Sequence, residues 1–355
     1  MLVVTTVKDV AKAAGVSPST VSRALAGKPT VDPEMVMRVQ KAAADLHYRP
    51  SRIARSLRTR ESRVWGVVVS DLRNPFYTDL LRGLEDTAQE AGYLLVIGNA
   101  DERVEKETSY LELFVAERVA GVVLSAASQA NAEVAMLRDQ QIPLVVIDRA
   151  VHGENVDTVL ADNEGGAFAA TSHLIGQGYQ RIACIAGPAD RTTSIDRLSG
   201  YLRAHAEAGL AIDESLIRRS DFRQAGGYAT VYELLTGPLP PDALFVCNNL
   251  MAIGALEAAA QLGVRHPEDL GLVAFDEIPL ASLLRSPVSV VAQPAYRIGS
   301  EAARLLLKRA QGDTAPPRRI VLPVELRVRA SSLRPVMMPG GRDGRSGVVR
   351  ATAGT

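Results

Sequence analysis

TVKDVAKAAGVSPSTVSRAL, residues 6–25 of the 355-residue chain, predicts two short helices joined by a tight turn. Thr6 is a suitable N-cap, and Asp9 stands three residues later, at the position of the second partner in a capping box. Gly15 permits the left-handed backbone conformation that ends a helix. Small and apolar residues follow helical spacing on one face of the first half: Val7, Val10, Ala11 and Ala14.

The second half of this stretch leaves a polar row free. Ser17 can cap the second helix, and Pro18 suits its first position, where no backbone N–H is needed. Val21 and Leu25 point inward in such a helix. The residues left available are Ser19, Ser22 and Arg23. This pattern is typical of a helix-turn-helix, whose second helix can enter a DNA major groove, although a pair of packed helices without a partner fits it too.

The distribution of charge favours nucleic acid as the partner. Asp32 and Pro33 begin a third helix, and its apolar positions complete a small core: Val36, Val39, Ala43 and Leu46. Residues 1–63 hold 12 Lys and Arg against 5 Asp and Glu, a net charge of +7. The whole chain has 40 of each, so residues 64–355 carry a net charge of −7. Such an asymmetry indicates that the basic segment binds nucleic acid.

Two kinds of DNA contact are predicted for these helices. Arg23 has the planar fork that pairs with guanine O6 and N7, and Ser19 or Thr20 can touch a base edge or a phosphate. Pro18 has no donor, so it can read only shape or a thymine methyl group. The basic residues that can contact phosphates, some of them merely solvated, are Lys8, Lys12, Lys28, Arg38 and Lys41.

A basic segment, YRPSRIARSLRTRESR, follows at residues 48–63. Pro50 ends the third helix, and a helix over residues 53–58 is too short to be stable alone, since about 12–15 residues are usually needed. Arg52, Arg55 and Arg58 recur three apart, and the apolar residues between them are Ile53, Ala54 and Leu57. A basic stripe beside apolar side chains suits a minor groove, where a leucine can insert and kink the duplex. An ordinary basic linker is the alternative.

These segments resemble the headpiece and hinge of the LacI/GalR (lactose-repressor/galactose-repressor) family of bacterial transcription regulators. KDVAKAAGVS, TVSRAL and the Tyr-x-Pro-x-x-x-Ala-x-x-Leu pattern at 48–57 occur in the family's order. The resemblance implies that Leu57 is a minor-groove wedge, which acts with its copy in a second subunit at a palindromic site. It also places Pro18, Ser19 and Arg23 at base-reading positions. The predicted DNA-binding residues are Thr6, Ser17, Pro18, Ser19, Thr20, Ser22, Arg23, Lys28, Tyr48, Arg52, Ala54, Arg55 and Leu57.

The rest of the chain alternates apolar, strand-like runs with helical stretches. The predicted strands are Val64–Val69, Leu94–Gly98, Gly121–Leu124, Leu144–Ile147, Thr158–Ala161, Ile182–Ala186, Ala243–Cys247, Leu270–Phe275 and Val288–Ala292. The helical stretches include Phe76–Ala91, Lys106–Glu117, Gly165–Ile175 and Met251–Leu262. This alternation indicates parallel sheets with helices on both faces. Two successive series predict two sub-domains, with a ligand crevice at the carboxyl ends of the strands.

The predicted fold class is therefore α/β. A three-helix helix-turn-helix headpiece with a hinge helix precedes a domain of two sub-domains with parallel sheets, which resembles periplasmic sugar-binding proteins. The predicted bounds are 1–50 for the headpiece, 51–63 for the hinge and linker, 64–335 for the effector-binding and dimerisation domain, and 336–355 for a disordered Gly- and Arg-rich tail. The resemblance implies three chain crossings, which gives sub-domain one residues 64–162 and 293–322, and sub-domain two residues 163–292 and 323–335.

Enzyme and metal signatures are missing from the sequence. It contains no G-x-x-x-x-G-K loop, no G-x-G-x-x-G that opens a helix and no H-E-x-x-H, and its five histidines are scattered. Cys184 and Cys247 fall in predicted buried strands and cannot form a metal site alone. We therefore predict no catalytic residues, metal or cofactor. The sequence shows neither a signal peptide nor a long apolar segment, so we expect a cytoplasmic protein.

Polar residues follow four of the predicted strands, namely Asp71, Asp148, Asn248 and Asp276. Each can be explained singly as a helix cap or a turn residue, but four strands that end alike point to a shared site. Carboxylates accept hydrogen bonds from hydroxyl groups, arginine donates in a fork, and aromatic rings cover the apolar face of a ligand. A polar, ring-shaped molecule such as a sugar fits this combination.

The family resemblance extends to about residue 335 through the runs IAGP, RLSGY, NNLMAIG, VAFD and QP. Together with the strand ends, it implies an effector site formed by Asp71, Asn74, Phe76, Tyr77, Asp148, Arg149, Arg191, Thr193, Arg197, Phe222, Asn248, Asp276 and Gln293. Asn74, Phe76 and Tyr77 with Asp148 and Arg149 are most similar to ribose-type sugar binders, so a pentose or hexose is the predicted effector. Four of the site residues also match the purine repressor, which leaves a purine open: Arg191, Thr193, Phe222 and Asp276.

The predicted partners are double-stranded DNA with a palindromic operator, a small-molecule effector and a second copy of the chain. A dimer is expected because a palindromic operator mirrors the two-fold symmetry of the protein, and the tail offers no heptads for a tetramer. Two rival functions remain: a sugar-binding protein without a regulatory role, and a sugar-modifying enzyme fused to a DNA-binding module.

Overall fold

The computed structural model describes residues 5–25, 27–48, 62–127, 132–151, 153 and 155–334. Two compact units, Met1–Ser62 and Arg63–Thr355, divide the chain. The predicted hinge residues Arg52, Ala54, Arg55 and Leu57 lie outside the described residues, as does the predicted tail at 336–355.

The described residues of the smaller unit form three helices, α1 (Val7–Ala14), α2 (Pro18–Leu25) and α3 (Pro33–Asp45). The predicted ends are confirmed. The Asp9 carboxylate accepts a hydrogen bond from the Thr6 backbone N–H over 2.8 Å, and Gly15 ends α1 with φ 65°. Ser17 Oγ accepts from the Thr20 N–H over 3.1 Å, and Asp32 Oδ1 accepts from the Glu34 N–H over 2.9 Å.

The core of this unit is small and built by all three helices. Its buried side chains are Val10, Ala11, Ala14, Val21, Ala24, Val39, Ala42 and Ala43. Because so many of these are alanine, the helices approach closely, and the polar row of α2 is left on the outside. The predicted helix-turn-helix is confirmed at the level of individual caps and core positions.

The larger unit begins with a six-stranded parallel sheet, sheet one. Its strands are β1 (Val64–Val69), β2 (Leu94–Asn99), β3 (Gly121–Leu124), β4 (Leu144–Ile147), β5 (Asp157–Ala161) and β11 (Arg319–Leu322). Their order is β11-β5-β4-β3-β1-β2, and every neighbouring pair is parallel. The helices of this sub-domain are α4 (Pro75–Glu90), α5 (Val104–Ala116), α6 (Ala132–Asp139) and α11 (Ala295–Ala310).

Both faces of sheet one are covered. Val67 and Val69 of β1 pack with Leu80 of α4 and Ile298 of α11, whereas Val68 packs with α5 and α6 on the other face. Helices α4 and α11 cross at two glycines. A Cβ atom on Gly299 would lie 1.9 Å from the Leu80 carbonyl oxygen, so only glycine permits this approach.

Sheet two follows in the chain. Its strands are β6 (Ile182–Ala186), β7 (Ile217–Arg219), β8 (Ala243–Val246), β9 (Gly271–Phe275), β10 (Ser289–Ala292) and β12 (Glu325–Arg327). Their order is β12-β10-β9-β8-β6-β7, and β12 alone runs antiparallel to its neighbour. The helices here are α7 (Asn163–Gly176), α8 (Thr192–Glu207), α9 (Gln224–Thr236) and α10 (Asn249–Gln261). They pack in pairs, α7 with α8 and α9 with α10.

The chain passes between the sheets three times, after β5, before α11 and again between β11 and β12. The predicted parallel sheets are confirmed, and the strand ends agree to within one residue. Three strands were not predicted, namely β7, β11 and β12. Two of them are three residues long, none is fully buried, and all three lie at sheet edges, so they lack the continuous buried run that identifies a central strand.

The two cysteines and the lengths of the helices bear on two further expectations from the sequence. Cys184 and Cys247 are buried and not joined in a disulfide. Among the helices that the structure describes, none combines the length and apolar character needed to cross a membrane.

Candidate nucleic-acid interface and small-molecule cleft

The outer face of α2 presents the predicted reading residues to solvent. Pro18, Ser19 and Arg23 are exposed, as is Ser17, while Thr20 and Ser22 are half-buried. The Ser17 hydroxyl lies 2.8 Å from that of Ser19, so the cap also positions the first hydroxyl of the row. The guanidinium group of Arg23 forms no hydrogen bond or ion pair with another described residue, although its backbone carbonyl oxygen accepts from the Lys28 N–H over 3.1 Å. Its guanidinium fork is therefore exposed on the outer face of α2 without a protein partner among the described residues.

The other predicted DNA contacts divide into exposed and structural residues. Lys28 is exposed, whereas Thr6 serves as the N-cap of α1, and Tyr48 is half-buried against the three-helix core. Arg38, a candidate for a phosphate contact, donates instead to the Ala14 carbonyl oxygen at the end of α1. That contact satisfies one of the carbonyl groups that every helix end leaves open. Arg38 is therefore structural in part.

A cleft lies between the two sub-domains of the larger unit. The predicted effector residues that line it are Asp71, Asn74, Phe76, Tyr77, Asp148, Arg149, Thr193, Arg197, Phe222, Asn248, Asp276 and Gln293. Glu102 and Leu250 complete the lining. These side chains meet because parallel strands bring their carboxyl ends to one edge of each sheet. Of the predicted effector residues, only Arg191 lies behind the lining.

The wall from sub-domain one holds a buried hydroxyl network. Tyr77 Oη donates to Asp148 Oδ2 over 2.9 Å and lies 2.9 Å from Ser125 Oγ. Ser125 Oγ in turn lies 2.9 Å from Ser70 Oγ. Burial raises the pKa of Tyr77 well above its usual value, so this group stays a neutral donor. The network fixes the Asp148 carboxylate at the floor of the cleft.

Arg149 is the most constrained cation in the cleft. Its Nη1 and Nη2 atoms donate to the two carboxylate oxygens of Glu102 over 2.8 and 2.6 Å, a bidentate pair. Its Nε atom is buried without a hydrogen-bond partner, 3.6 Å from Asp148 Oδ2. Arg191, from sub-domain two, reaches the same Glu102 carboxylate with its Nε at 3.5 Å. Glu102 therefore joins both walls.

The wall from sub-domain two is organised around Arg197. Its Nε donates to Asn163 Oδ1 over 2.8 Å, and its Nη1 donates to the Cys247 carbonyl oxygen over 2.6 Å. The guanidinium lies 3.7 Å from the centre of the Phe275 ring and 3.8 Å from the Asp276 carboxylate. Each of its contacts is buried, so Arg197 holds this wall together.

Asp276 and Gln293 face the cleft beside this arginine. Gln293 Nε2 donates to Asp276 Oδ1, which leaves Gln293 Oε1 buried without a partner. Burial raises the pKa of Asp276, although Arg197 and Gln293 act in the opposite direction. A ligand hydroxyl that donates to Gln293 Oε1 would remove an uncompensated polar group, which costs stability when it is buried.

Two of the predicted residues are helix caps as well as lining residues. Asn74 Oδ1 accepts from the Phe76 N–H over 2.9 Å, and Asn248 Oδ1 accepts from the Met251 N–H over 2.8 Å. Asn249 Nδ2 donates to Asn74 Oδ1 over 2.9 Å, which links the two sub-domains. The capping alternative considered from sequence is thus correct for Asn248, and Asn74 is a helix cap too; both asparagines also line the cleft.

Four of the nine non-glycine residues that the structure describes with positive φ line the cleft. Asp148, Phe222, Asp276 and Glu102 have φ of 63°, 62°, 73° and 59°, in the left-handed region. Non-glycine residues rarely adopt this conformation, at a cost of about 1–3 kcal/mol each, and such residues cluster at ligand sites. Four such residues around one cavity make it a candidate ligand site.

The charge of the cleft is negative. Four carboxylates (Asp71, Glu102, Asp148 and Asp276) line it against two guanidinium groups, those of Arg149 and Arg197. Both guanidinium groups already hold protein acceptors, and Asp71 is paired with Arg73 over 2.7 Å. Burial raises the pKa of Asp71, but the contacts with Arg73 outweigh it and lower the pKa overall. The cleft therefore offers acceptors to hydroxyl groups and no free cation to an anion.

Sequence reasoning missed Glu102 and Leu250. Glu102 follows β2 by three residues, so the rule that selected Asp71 and Asp148 also reaches it. Leu250 is the second residue of α10 and shows no polar signal that could have identified it. Within the described part of the chain, no group of three or more His, Cys, Asp or Glu side chains is placed to hold a metal ion.

Comparisons with known proteins match both units. Residues 6–51 match the family described as bacterial regulatory proteins, lacI family, and residues 171–332 match the periplasmic binding protein-like domain.

Among curated relatives, the HTH-type transcriptional repressor CytR of Escherichia coli (strain K12) is 36% identical over 328 residues, 92% of this chain and 96% of its own. The ribose operon repressor of Halalkalibacterium halodurans is 37% identical over 328 residues, 92% of this chain and 97% of its own.

Two solved structures share the fold. The complex of the transcriptional regulator CelR with cellobiose matches with a TM-score of 0.71 and 34% identity, and it covers 92% of this chain and 99% of its own. The lac repressor dimer bound to operator and the anti-inducer ONPF matches with a TM-score of 0.82 and 25% identity, over 93% and 99% of the two chains.

Proposed function

This chain belongs to the lacI family of bacterial regulatory proteins and is a DNA-binding transcriptional regulator, and we propose that an uncharged pentose or hexose controls its affinity for DNA. It acts as a repressor at a palindromic operator that two copies of the helix-turn-helix read together. The DNA-binding role rests on the free polar row of α2, and the effector role rests on the cleft of the larger unit.

One observation carries the sugar proposal: the cleft is lined with acceptors that have no free cation among them. Carboxylates and the unpaired Gln293 Oε1 accept hydrogen bonds from hydroxyl groups. The rings of Phe76 and Phe222 can cover the apolar face of a sugar ring. The similar proteins include a ribose operon repressor and a regulator solved with cellobiose, which supports the same class of effector.

Exposed apolar surfaces support a homodimer. Strand β2 lies at the edge of sheet one and exposes Leu94, Val96 and Ile97, and a second exposed group contains Leu280 and Leu283. Natural proteins rarely leave a flat apolar edge strand uncovered, because it recruits other chains. A second copy of the chain can cover these surfaces, and the similar lac repressor binds its operator as a dimer.

The proposed coupling uses the contacts that cross the cleft. The Ala150 N–H donates to Thr192 Oγ1 over 3.1 Å, and Arg223 Nη2 donates to the Asp101 carbonyl oxygen over 3.0 Å. An effector shifts the balance between two arrangements of the sub-domains only by its different affinity for them. A coupling free energy of about 1–3 kcal/mol would change operator affinity by roughly 5- to 150-fold.

No catalytic step is part of this proposal. A regulator of this family acts where the chromosomal DNA is, so we place it in the cytoplasm. The cleft provides binding groups for a ligand, and turnover of a bound sugar in a product assay would contradict the regulatory role.

The proposal is tested by a ligand panel on the full-length protein. Ribose, glucose, cellobiose, adenine and hypoxanthine are titrated while thermal unfolding and affinity for a selected palindromic duplex are measured. At 100 times its dissociation constant, the correct effector stabilises the larger unit by about 2.7 kcal/mol. It should also change operator affinity, in a direction that distinguishes an inducer from a corepressor.

The panel separates the alternatives. Stabilisation by adenine or hypoxanthine but by none of the sugars would replace the sugar with a purine, for which the two phenylalanine rings of the cleft provide stacking partners. Sugar binding without any preference for an inverted repeat over random duplex would leave a sugar-binding protein with no regulatory role.

Arg23→Ala tests which residue reads sequence. We expect the variant to lose about 1–3 kcal/mol of discrimination at one base pair in each half-site, because its free fork would no longer grip a guanine. Lys28→Ala is the matched comparison, since a phosphate contact weakens binding to all sequences alike and reduces the salt slope by about 1. Binding of the two variants is measured to operator and random duplexes by fluorescence anisotropy. An equal loss on all sequences for Arg23→Ala would reassign Arg23 to the phosphates.

A further inference from the structure

Glu102 lies between two arginines that belong to opposite walls of the cleft. Its carboxylate oxygens accept from Arg149 Nη1 and Nη2 over 2.8 and 2.6 Å, and Oε2 also lies 3.5 Å from Arg191 Nε. Arg149 follows β4 in sub-domain one, whereas Arg191 precedes α8 in sub-domain two. All three side chains are largely buried, with 15%, 7% and 10% of the Glu102, Arg149 and Arg191 side chains exposed.

Because of this arrangement, the arginine donors that would bind an anion are already bonded to Glu102. An arginine binds phosphate or carboxylate through two parallel N–H donors, and on Arg149 both terminal nitrogens already point to Glu102. Arg197 is occupied through different nitrogens, since its Nε donates to Asn163 and its Nη1 to the Cys247 carbonyl oxygen. Without Glu102, the terminal nitrogens of Arg149 would lose their carboxylate, whereas Arg191 would still be paired with Asp190, so Arg149 would become the main cation open to an anion at the edge of the cavity.

Two further features show that Glu102 is held in this role. Its backbone has φ 59°, a conformation that a glutamate adopts only at a cost. Burial raises the pKa of Glu102, but Arg149 and Arg191 outweigh it and hold the pKa below its usual value. Glu102 therefore stays ionised at neutral pH, where it neutralises Arg149 and shares Arg191 with Asp190.

We propose that Glu102 is a specificity-determining residue that makes the cleft accept an uncharged sugar and reject the phosphorylated or carboxylated forms of that sugar. The sugar part of this statement rests on the proposed function, whereas the exclusion of anions rests on the contacts of Glu102 alone. An incoming phosphate would have to displace a buried carboxylate from two arginines, next to three further carboxylates in the lining.

The test compares the wild type with Glu102→Gln, which keeps the size of the side chain and removes its charge. Ribose, ribose 5-phosphate and inorganic phosphate are titrated by calorimetry into the full-length protein. In the variant, we expect the dissociation constants for ribose 5-phosphate and for inorganic phosphate to fall by about 10-fold or more, the effect of one hydrogen bond to a charged group. The wild type should show no measurable binding of inorganic phosphate in the cleft.

Two controls locate the effect. Glu105→Gln removes a charge three residues away, where 78% of the side chain is exposed, and should leave phosphate binding as in the wild type. Adding Arg149→Gln to Glu102→Gln should abolish the gained phosphate affinity, because the anion would lose its fork. This double variant also separates a specific site from a general change in net charge.

The outcomes distinguish this inference from the sugar proposal. If the wild type binds inorganic phosphate or ribose 5-phosphate as tightly as Glu102→Gln does, Glu102 does not exclude anions. If no sugar in the panel binds but Glu102→Gln gains phosphate affinity, the role of Glu102 stands and the sugar proposal fails. If a sugar binds but Glu102→Gln gains no affinity for phosphate, the sugar proposal stands and the role of Glu102 fails.

Discussion

Arg197→Met is expected to lower the free energy of unfolding of the larger unit by about 3–5 kcal/mol, the usual cost of removing one partner of a buried ion pair. The guanidinium donates to Asn163 Oδ1 and to the Cys247 carbonyl oxygen, and it lies 3.8 Å from the Asp276 carboxylate. Methionine fills part of the volume over the Phe275 ring but supplies no donor. The variant therefore leaves Asn163 Oδ1 and the Cys247 carbonyl oxygen without this donor, and it removes the positive charge beside the buried Asp276 carboxylate.

A matched control lies on the same helix. Arg203 also lies over an aromatic ring, 4.2 Å from the centre of Phe168, and it pairs with Glu164 and with Glu207. However, 42% of its side chain is exposed, compared with 4% for Arg197. Exposed pairs contribute about 0–1 kcal/mol, so Arg203→Met should have little effect.

Urea denaturation of the two variants and the wild type measures the difference. Equal losses in Arg197→Met and Arg203→Met would show that stacking on phenylalanine, and not the buried polar contacts, gives Arg197 its importance.

Asp276→Asn is expected to weaken effector binding by about 10- to 150-fold, which corresponds to the loss of one hydrogen bond to a charged group, while binding to operator without effector stays unchanged. Asp276 follows β9 directly, and its carboxylate faces the cleft beside Gln293 and Arg197. Asparagine tolerates the left-handed backbone at φ 73°, so the substitution tests the charge and not the fold.

A control at the other end of the same strand completes this test. Asp269 precedes β9, is bonded to Arg265 over 2.9 Å and is remote from the cleft lining. Asp269→Asn should leave effector affinity unchanged. Calorimetric titration with the effector found in the panel measures both variants, and equal affinity for Asp276→Asn and the wild type would remove Asp276 from the site.

The same carboxylate gives effector binding a pH dependence. Burial raises the pKa of Asp276, so its charge is lost as pH falls at a higher pH than for an ordinary carboxyl group. Effector affinity should therefore be full at neutral pH and decline on acidification before ordinary carboxyl groups titrate. In Asp276→Asn this part of the decline should disappear.

The two units match different domains, the smaller one the lacI family of regulatory proteins and the larger one a periplasmic binding protein-like domain. Local pattern was sufficient to identify the smaller one, because its signals lie close together in the chain. The cap at Asp9, the turn at Gly15 and the proline at the start of α2 each act over a few residues. The charge asymmetry that suggested nucleic acid is likewise a property of composition and needs no tertiary structure.

For the larger unit, the sequence predicted the strands and, through them, the place of the cleft. Asp71, Asp148, Asn248 and Asp276 follow strands, and parallel strands necessarily bring their carboxyl ends together. Three edge strands, β7, β11 and β12, were missed because they are short and partly polar. Glu102, the residue that joins the two walls, was missed although it follows a strand.

The sequence by itself determined the helix-turn-helix, the two parallel sheets and the set of polar residues at the strand ends, because these depend on periodicity and on neighbours within one turn or one strand. Only the tertiary structure decided which charges are paired. Glu102 pairs with Arg149 and Arg191, which lie 47 and 89 residues away in the chain. Arg38 donates a hydrogen bond to a carbonyl group 24 residues earlier. Such contacts depend on the packing of elements that are distant in the chain, so a free arginine and a neutralised one look the same in the sequence.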